Sequence, residues 1–151
     1  MRLSLHTDYA LRVLMFLAAE ERQASVDEIA RAYGISHNHL VKVARRLGEL
    51  GLVEAKRGRG GGISLAQDPG HINVGAVVRA MESLGGFVEC FDAIENGCPV
   101  AGVCGLQGAL GLALGDFLKR LDTYVLADLI PRKAAFTRRL EAGRSPLDEH
   151  P

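Results

Sequence analysis

All three cysteines of this 151-residue chain fall within one short stretch, Cys90 to Cys104. Seven residues separate the first pair and five the second, with Gly97, Pro99 and Gly102 interspersed. Proline lacks a backbone donor and glycine spreads over non-helical conformations, so this stretch folds as an irregular loop. It divides the chain in two. Residues before it read as short helices and a hairpin; residues after it read as one long apolar helix.

The punctuation of the first part is regular. Thr7 or Asp8 is placed to cap a helix running to about Glu21, with Leu11, Leu14, Met15, Leu17 and Ala18 as its apolar stripe. Ser25 followed by Glu28 is a capping-box pattern and predicts a second helix over about 26–33, closed by Gly34. Ser36 caps a third helix to about Leu50, with Leu40, Val43, Ala44, Leu47 and Leu50 turned inward. Two helices joined by a short glycine turn form the helix-turn-helix layout. Strand-like residues 52–56 and 63–66 flank Arg57-Gly58-Arg59-Gly60-Gly61-Gly62, which predicts a hairpin with a basic, glycine-rich tip, the wing of a winged helix. Asn73 caps a fourth helix to about Ser83.

Charge supports a nucleic-acid surface in this part. The whole chain is neutral, but residues 1–66 hold ten Lys/Arg against seven Asp/Glu, and residues 67–151 hold eight against eleven. The outward face of the third helix carries His37, Asn38, His39, Lys42, Arg45 and Arg46. In a helix-turn-helix the first turn of that helix meets base edges in the major groove, and more distal cations meet phosphates. Arg57 or Arg59, with Gly60 beside them, can enter a narrow minor groove. Ser36, Ser25 and Arg12 are further candidate backbone contacts, Ser25 doubling as a helix cap. The bland alternative is a solvated helix face. A nucleotide-binding phosphate loop is disfavoured, because no Gly-Lys-Ser/Thr opens a helix after the glycines. His37 and His39 as metal ligands lack a neighbouring cysteine in sequence.

The N-terminus is broken by Asp8 and Arg12 and is not read as a signal peptide. No stretch approaches the roughly 18–20 apolar residues of a membrane helix. A cytoplasmic location follows as the expectation. In that reducing compartment clustered cysteines are metal ligands or redox groups more often than disulfides, and an odd number cannot close a full disulfide framework. Zinc sites favour closely spaced cysteine pairs, which this loop lacks. The reading from the residues is an iron–sulfur cluster held by Cys90, Cys98 and Cys104, with free thiols or a zinc site as the alternative. Three thiolates leave a fourth position open; His6, His71, Asp92 and Glu95 are candidates for it.

From about Leu106 to Ile130 an apolar stripe includes Leu110, Leu114, Phe117, Leu121, Tyr124, Val125 and Leu129. A lone helix with such a stripe needs a partner, so residues 105–131 are expected to form a dimerisation helix and 132–151 a frayed tail. The expected organisation is thus a DNA-binding domain over 1–84, a cluster loop over 85–104, the dimer helix and the tail. The fold class is mainly α with a small β-hairpin wing. No Ser/His/Asp or Cys/His constellation suggests catalysis. An electron-transfer or cluster-carrier protein is the competing class, in which the helix-turn-helix would be idle.

Several segments resemble one family of winged-helix bacterial repressors, the one containing NsrR, IscR and RirA, and the NsrR-like nitric-oxide sensors most of all. They are Thr7-Asp8-Tyr9-Ala10-Leu11-Arg12, Ser36-His37-Asn38-His39-Leu40-Val41-Lys42-Val43, Arg59-Gly60-Gly61-Gly62-Ile63, the three cysteines, and Leu121-Asp122-Thr123-Tyr124-Val125-Leu126-Ala127-Asp128-Leu129. The resemblance implies a homodimer on a pseudo-palindromic operator, an iron–sulfur cluster (4Fe-4S in preference to 2Fe-2S) and nitric oxide as the signal. It also implies that Asp8, given by the partner subunit, is the fourth ligand; read locally, Asp8 is a helix cap. IscR-like members carry a histidine ligand three residues after the third cysteine, where this chain has Gln107. An iron, cluster-status or redox sensor of the same family is the second expectation.

Overall fold

The computed structural model describes residues 2–92 and 94–143. Six helices and one hairpin follow in the order α1 (Leu5–Glu20), α2 (Val26–Tyr33), α3 (His37–Glu49), β1 (Val53–Lys56), β2 (Gly62–Leu65), α4 (Val74–Met81), α5 (Gly105–Leu121) and α6 (Lys133–Gly143), with short 3-10 turns between them. The mainly helical class with one hairpin is as expected.

α1 starts a turn earlier than its local sequence suggests. The cap is Ser4, whose Oγ accepts from the Thr7 N–H at 3.2 Å, and Thr7 and Asp8 lie inside the first turn. The reason is non-local. The carboxylate of Glu82, just beyond α4, accepts from the Ser4 N–H (3.1 and 3.2 Å), the Ser4 hydroxyl (3.1 Å) and the Thr7 hydroxyl. An anion at a helix N-terminus satisfies orphan donors and suits the helix dipole. α2 begins and ends where the sequence predicts, with Ser25 Oγ accepting from the Glu28 N–H at 3.0 Å and Gly34 in the left-handed region.

α1, α2 and α3 enclose the core. Phe16, Leu14, Ile29, Leu40 and Leu47 are fully buried in it. The expected stripe of α1 is shifted: Ala10, Val13 and Phe16 are buried with Leu14 and Leu17, whereas Leu11 and Met15 are only partly covered. The hairpin pairs Val53 with Leu65 and Lys56 with Gly62. Ala24, in the α1–α2 loop, exchanges two backbone hydrogen bonds with Ile63 (3.0 and 2.8 Å) and ties the hairpin to the bundle. Gly62 makes this possible, because a Cβ there would overlap the Ala24 carbonyl.

Two expectations about the second part are corrected. The helix after the cysteines ends at Leu121, not near Ile130. Beyond it the chain turns back: Asn73 pairs with Val125, the Val74 N–H donates to the Tyr124 carbonyl, and the Leu126 N–H donates to the Ile72 carbonyl. Leu126 is thereby buried in the core of the first part, so the single stripe belonged to two elements. Residues 133–143 of the expected tail are helical. α6 buries Leu140, packs Phe136 on the core and ends with Gly143 against the Ala32 carbonyl. Residues 144–151 of that tail lie outside the described residues.

Candidate DNA interface and metal-binding loop

The third helix presents the polar face that the sequence predicts. Ser36, His37, Asn38, His39, Lys42 and Arg45 are exposed, while Leu40, Val43, Ala44 and Leu47 are buried. Ser36 stands at the N-cap position, yet its hydroxyl makes no capping bond. Arg45 and Arg46 both lean on Glu49 (3.2 and 3.4 Å), and Arg46 also donates to the Ala80 carbonyl at 3.4 Å. His37 Nδ1 stands 3.8 Å from Asp27. His39 stacks on Tyr9 of α1, ring centres 6.3 Å apart.

At the hairpin tip Arg57 and Arg59 are exposed, Gly58 and Gly60 have positive φ, and the Gly61 N–H closes the turn on the Gly58 carbonyl at 2.9 Å. Gln23 Nε2 donates to the Gly60 carbonyl at 2.6 Å. That clamp, absent from the sequence reading, is a long-range contact between two loops and has no local signature. Ser25 is exposed beside it. The polar face of α3 and the basic wing tip are thus both exposed, and Gln23 holds the wing tip to the loop that leads into α2.

The cysteine loop is organised by its own polar side chains. Glu89 accepts from the Gly97 N–H at 3.0 Å, Asn96 from the Cys98 N–H at 3.1 Å, and Asp92 from the Ile94 and Glu95 N–H groups at 2.8 and 3.0 Å. Those N–H bonds hold the Asp92 carboxyl below its ordinary value. Gln107, in the first turn of α5, donates to the Cys90 carbonyl at 2.9 Å and accepts from the Gly102 N–H at 3.3 Å. The residue standing where IscR-like members carry a histidine thus ties the first cysteine to the segment of the third. Cys104 is the N-cap of α5.

All three cysteines are free and half-buried. Their chemistry suits iron: three soft sulfur donors with no disulfide among them. In this single chain, no three His, Cys, Asp or Glu side chains among the described residues close into a group able to hold a metal ion. Asp8 is half-buried on α1 and paired with Arg12 at 3.0 Å, and Arg12 also lies over the Tyr33 ring, 5.7 Å from its centre. Neither His6 nor His71 joins a donor group.

The joint between the loop and the helical bundle is ionic. Arg79 of α4 pairs in bidentate fashion with Asp122 at the end of α5 (2.5 and 2.8 Å), and Asn73 donates to the Asp122 carbonyl at 2.8 Å. On the other side Glu82 fastens α4 to the start of α1. Its partial burial raises the carboxyl pKa, but the bonds from Thr7 and Ser4 outweigh that and hold it below the usual carboxylate value. A depressed folded value means the stabilisation is complete above the unfolded carboxylate pKa of about 4.3 and is lost as pH falls through the folded one. Glu82→Gln should therefore lower stability by about 1 kcal/mol at pH 7, the carboxylate being partly open to water. The gap from the native chain should close in denaturant titrations below about pH 4. A gap that persists there would assign the effect to shape, not charge.

A helix-turn-helix with an outward polar and basic face, flanked by a hairpin with a basic tip, defines a winged-helix DNA-binding protein. The chain belongs to the Rrf2 family, described as iron-dependent transcriptional regulators, whose model matches residues 3–132. It is 53% identical over 135 residues to the HTH-type transcriptional regulator NsrR of Bacillus subtilis, covering 88% of this chain and 92% of that one. To the NsrR of Geobacillus kaustophilus it is 47% identical, covering 95% and 99%. Among solved structures it resembles T. potens IscR, with a TM-score of 0.68, 25% identity and 86% of each chain covered. CymR, the global cysteine regulator of B. subtilis, matches with a TM-score of 0.65 and 27% identity over 85% and 95%. The family consists of regulators of transcription, not enzymes. No helix of the described residues is long and apolar enough to cross a membrane.

Proposed function

We propose that this chain is a cytoplasmic, homodimeric repressor whose grip on a pseudo-palindromic operator is set by an iron–sulfur cluster and released by nitric oxide. The observation that carries the reading is the position of the cysteine loop. It leaves α4 directly after the Glu82 anchor and enters α5, whose far end is anchored back on α4 by Arg79 and Asp122. Whatever tightens or loosens that loop acts on two fixed points of the DNA-binding head.

Cys90, Cys98 and Cys104 would hold the cluster, 4Fe-4S in preference to 2Fe-2S, with Asp8 of the partner subunit as the fourth donor. When bound, the cluster would supply iron open to nitric oxide, and a carboxylate is a weaker donor to iron than a thiolate. Arg12 is the resident partner of Asp8. As a ligand, Asp8 would have to leave Arg12 on its own helix for the loop of the other subunit, and Tyr9 beside it stacks on His39 of α3. Leu106 and Leu112 on α5, 63% and 74% exposed, and Leu5 on α1, 52% exposed, are apolar side chains that a second copy would cover. Pairing there would set two copies of α3 about 34 Å apart, one turn of DNA.

The test is a DNA-binding titration of anaerobically purified protein with nitric oxide at fixed salt. Affinity should fall as the visible absorption is lost. Unchanged affinity after complete nitrosylation would end this version. The family description as iron-dependent favours a second reading, an iron, cluster-status or redox sensor. Parallel arms with a chelator and with oxygen separate it, by which agent releases DNA at the lowest stoichiometry.

A further inference from the structure

Seven large hydrophobic side chains are exposed among the described residues. Leu5 lies at the start of α1, Ile94, Val100 and Val103 in the cysteine loop, and Leu106 and Leu112 on α5. The seventh, Val41, stands apart. It is 45% exposed on α3, and no other large hydrophobic of α2, α3 or the hairpin is exposed to that degree among the described residues.

A single exposed valine is ordinary on a protein surface. The company of this one is not. Asn38 is three residues before it, Lys42 beside it and Arg45 four residues after it, and all are exposed. Residues three and four apart share a helix face, so Val41 borders the same face as its polar neighbours. The side chains of Asn38 and Lys42 have no hydrogen-bond or ion-pair partner among the described residues. Val41 is the fifth residue of α3, within the first two turns, where a recognition helix approaches base edges.

The major groove offers one apolar group, the C5-methyl of thymine. A valine in a helix is nearly locked at χ1, so its two methyls are already oriented and lose little entropy on contact. We infer that Val41 is a specificity residue that packs on a thymine methyl in each half-site, alongside a base contact from Asn38. The inference rests on the DNA-binding reading and deepens it. Phosphate contacts hold a helix on any sequence, so the methyl contact adds discrimination that phosphate contacts cannot supply.

The experiment uses the full chain and a duplex enriched by it from a random pool. Each half-site thymine is replaced in turn by deoxyuridine, which removes only the methyl and keeps the base pair. One position per half-site should weaken binding about fourfold, the worth of roughly one buried methylene. The same scan is then run on Val41→Ala, a substitution at an exposed position, with helical content checked by circular dichroism. In this variant the penalty at that position should vanish, while the salt dependence stays that of the native chain.

Two results overturn the inference and leave DNA recognition standing. One is uridine tolerated at every half-site thymine. The other is an unchanged uridine penalty in Val41→Ala, which would mean that another group touches the methyl. A pool in which no sequence is enriched removes the DNA-binding reading, and this inference with it.

Discussion

Serine in place of Cys98 should leave a folded head that no longer carries iron. The change swaps sulfur for oxygen at constant shape, and the backbone bond from the Cys98 N–H to Asn96 is untouched. The core is drawn from α1 to α4, the hairpin, Leu126 and Leu140, and none of the cysteine loop enters it. Thermal unfolding of the head should therefore stay near that of the native chain. A hydroxyl is not ionised at neutral pH and is a poor donor to iron, so two thiols would remain where three are needed. Even loss of an outer-shell partner costs about 10–100-fold in metal affinity, and loss of a direct ligand should cost more. The measurement is iron and sulfide content with visible absorption after anaerobic purification, followed by the nitric-oxide titration. Native iron content in Cys98→Ser would remove this thiol from the ligand set.

Alanine at Gly75 tests the anchor that holds the far end of α5 on α4. In an exposed helix this substitution stabilises by up to about 1 kcal/mol. Here the sign should reverse. Gly75 is buried on α4, and a Cβ would overlap the Asp122 carboxylate and stand 2.9 Å from the Asp122 backbone nitrogen. Relief requires Asp122 to move, which breaks its paired bonds to Arg79 and strains the bond from Asn73. Forced overpacking of this kind costs about 1–3 kcal/mol. For a chain of this size that is a fall in melting temperature of roughly 3–10 °C. Asp122→Ala in the same chain should recover part of the loss, because the two residues share one contact. A Gly75→Ala protein more stable than the native one would show that α4 and the end of α5 are not held together as described. If they are, the variant should also bind DNA with a weakened response to nitric oxide.

Much of the head was readable from residues near each other in sequence. Ser25 with Glu28, Gly34 at the end of α2 and Asn73 before α4 are local signals, because a cap satisfies backbone donors two or three residues away. The polar face of α3 was equally plain, since burial of Leu40, Val43, Ala44 and Leu47 at helical spacing forces the remaining side chains outward. The glycines and arginines of the wing tip announced themselves by composition.

What escaped was set by partners far along the chain. The cap of α1 depends on Glu82, 78 residues from Ser4. The clamp on the wing tip comes from Gln23, 37 residues from Gly60. The stripe after Cys104 reads as one helix because apolar spacing carries no information about direction. Only the pairing of Asn73 with Val125 and the salt bridge of Arg79 with Asp122 turn the chain at Leu121. α6 reads as a tail because its apolar residues are few, and Leu140 is buried against a surface made by other helices. The sequence by itself determined the elements of the DNA-binding head, since hydrophobic period, caps and turn glycines act over a few residues. The tertiary structure alone decided how the cysteine loop is fastened to that head, because those fastenings are charge-assisted bonds between residues far apart in sequence.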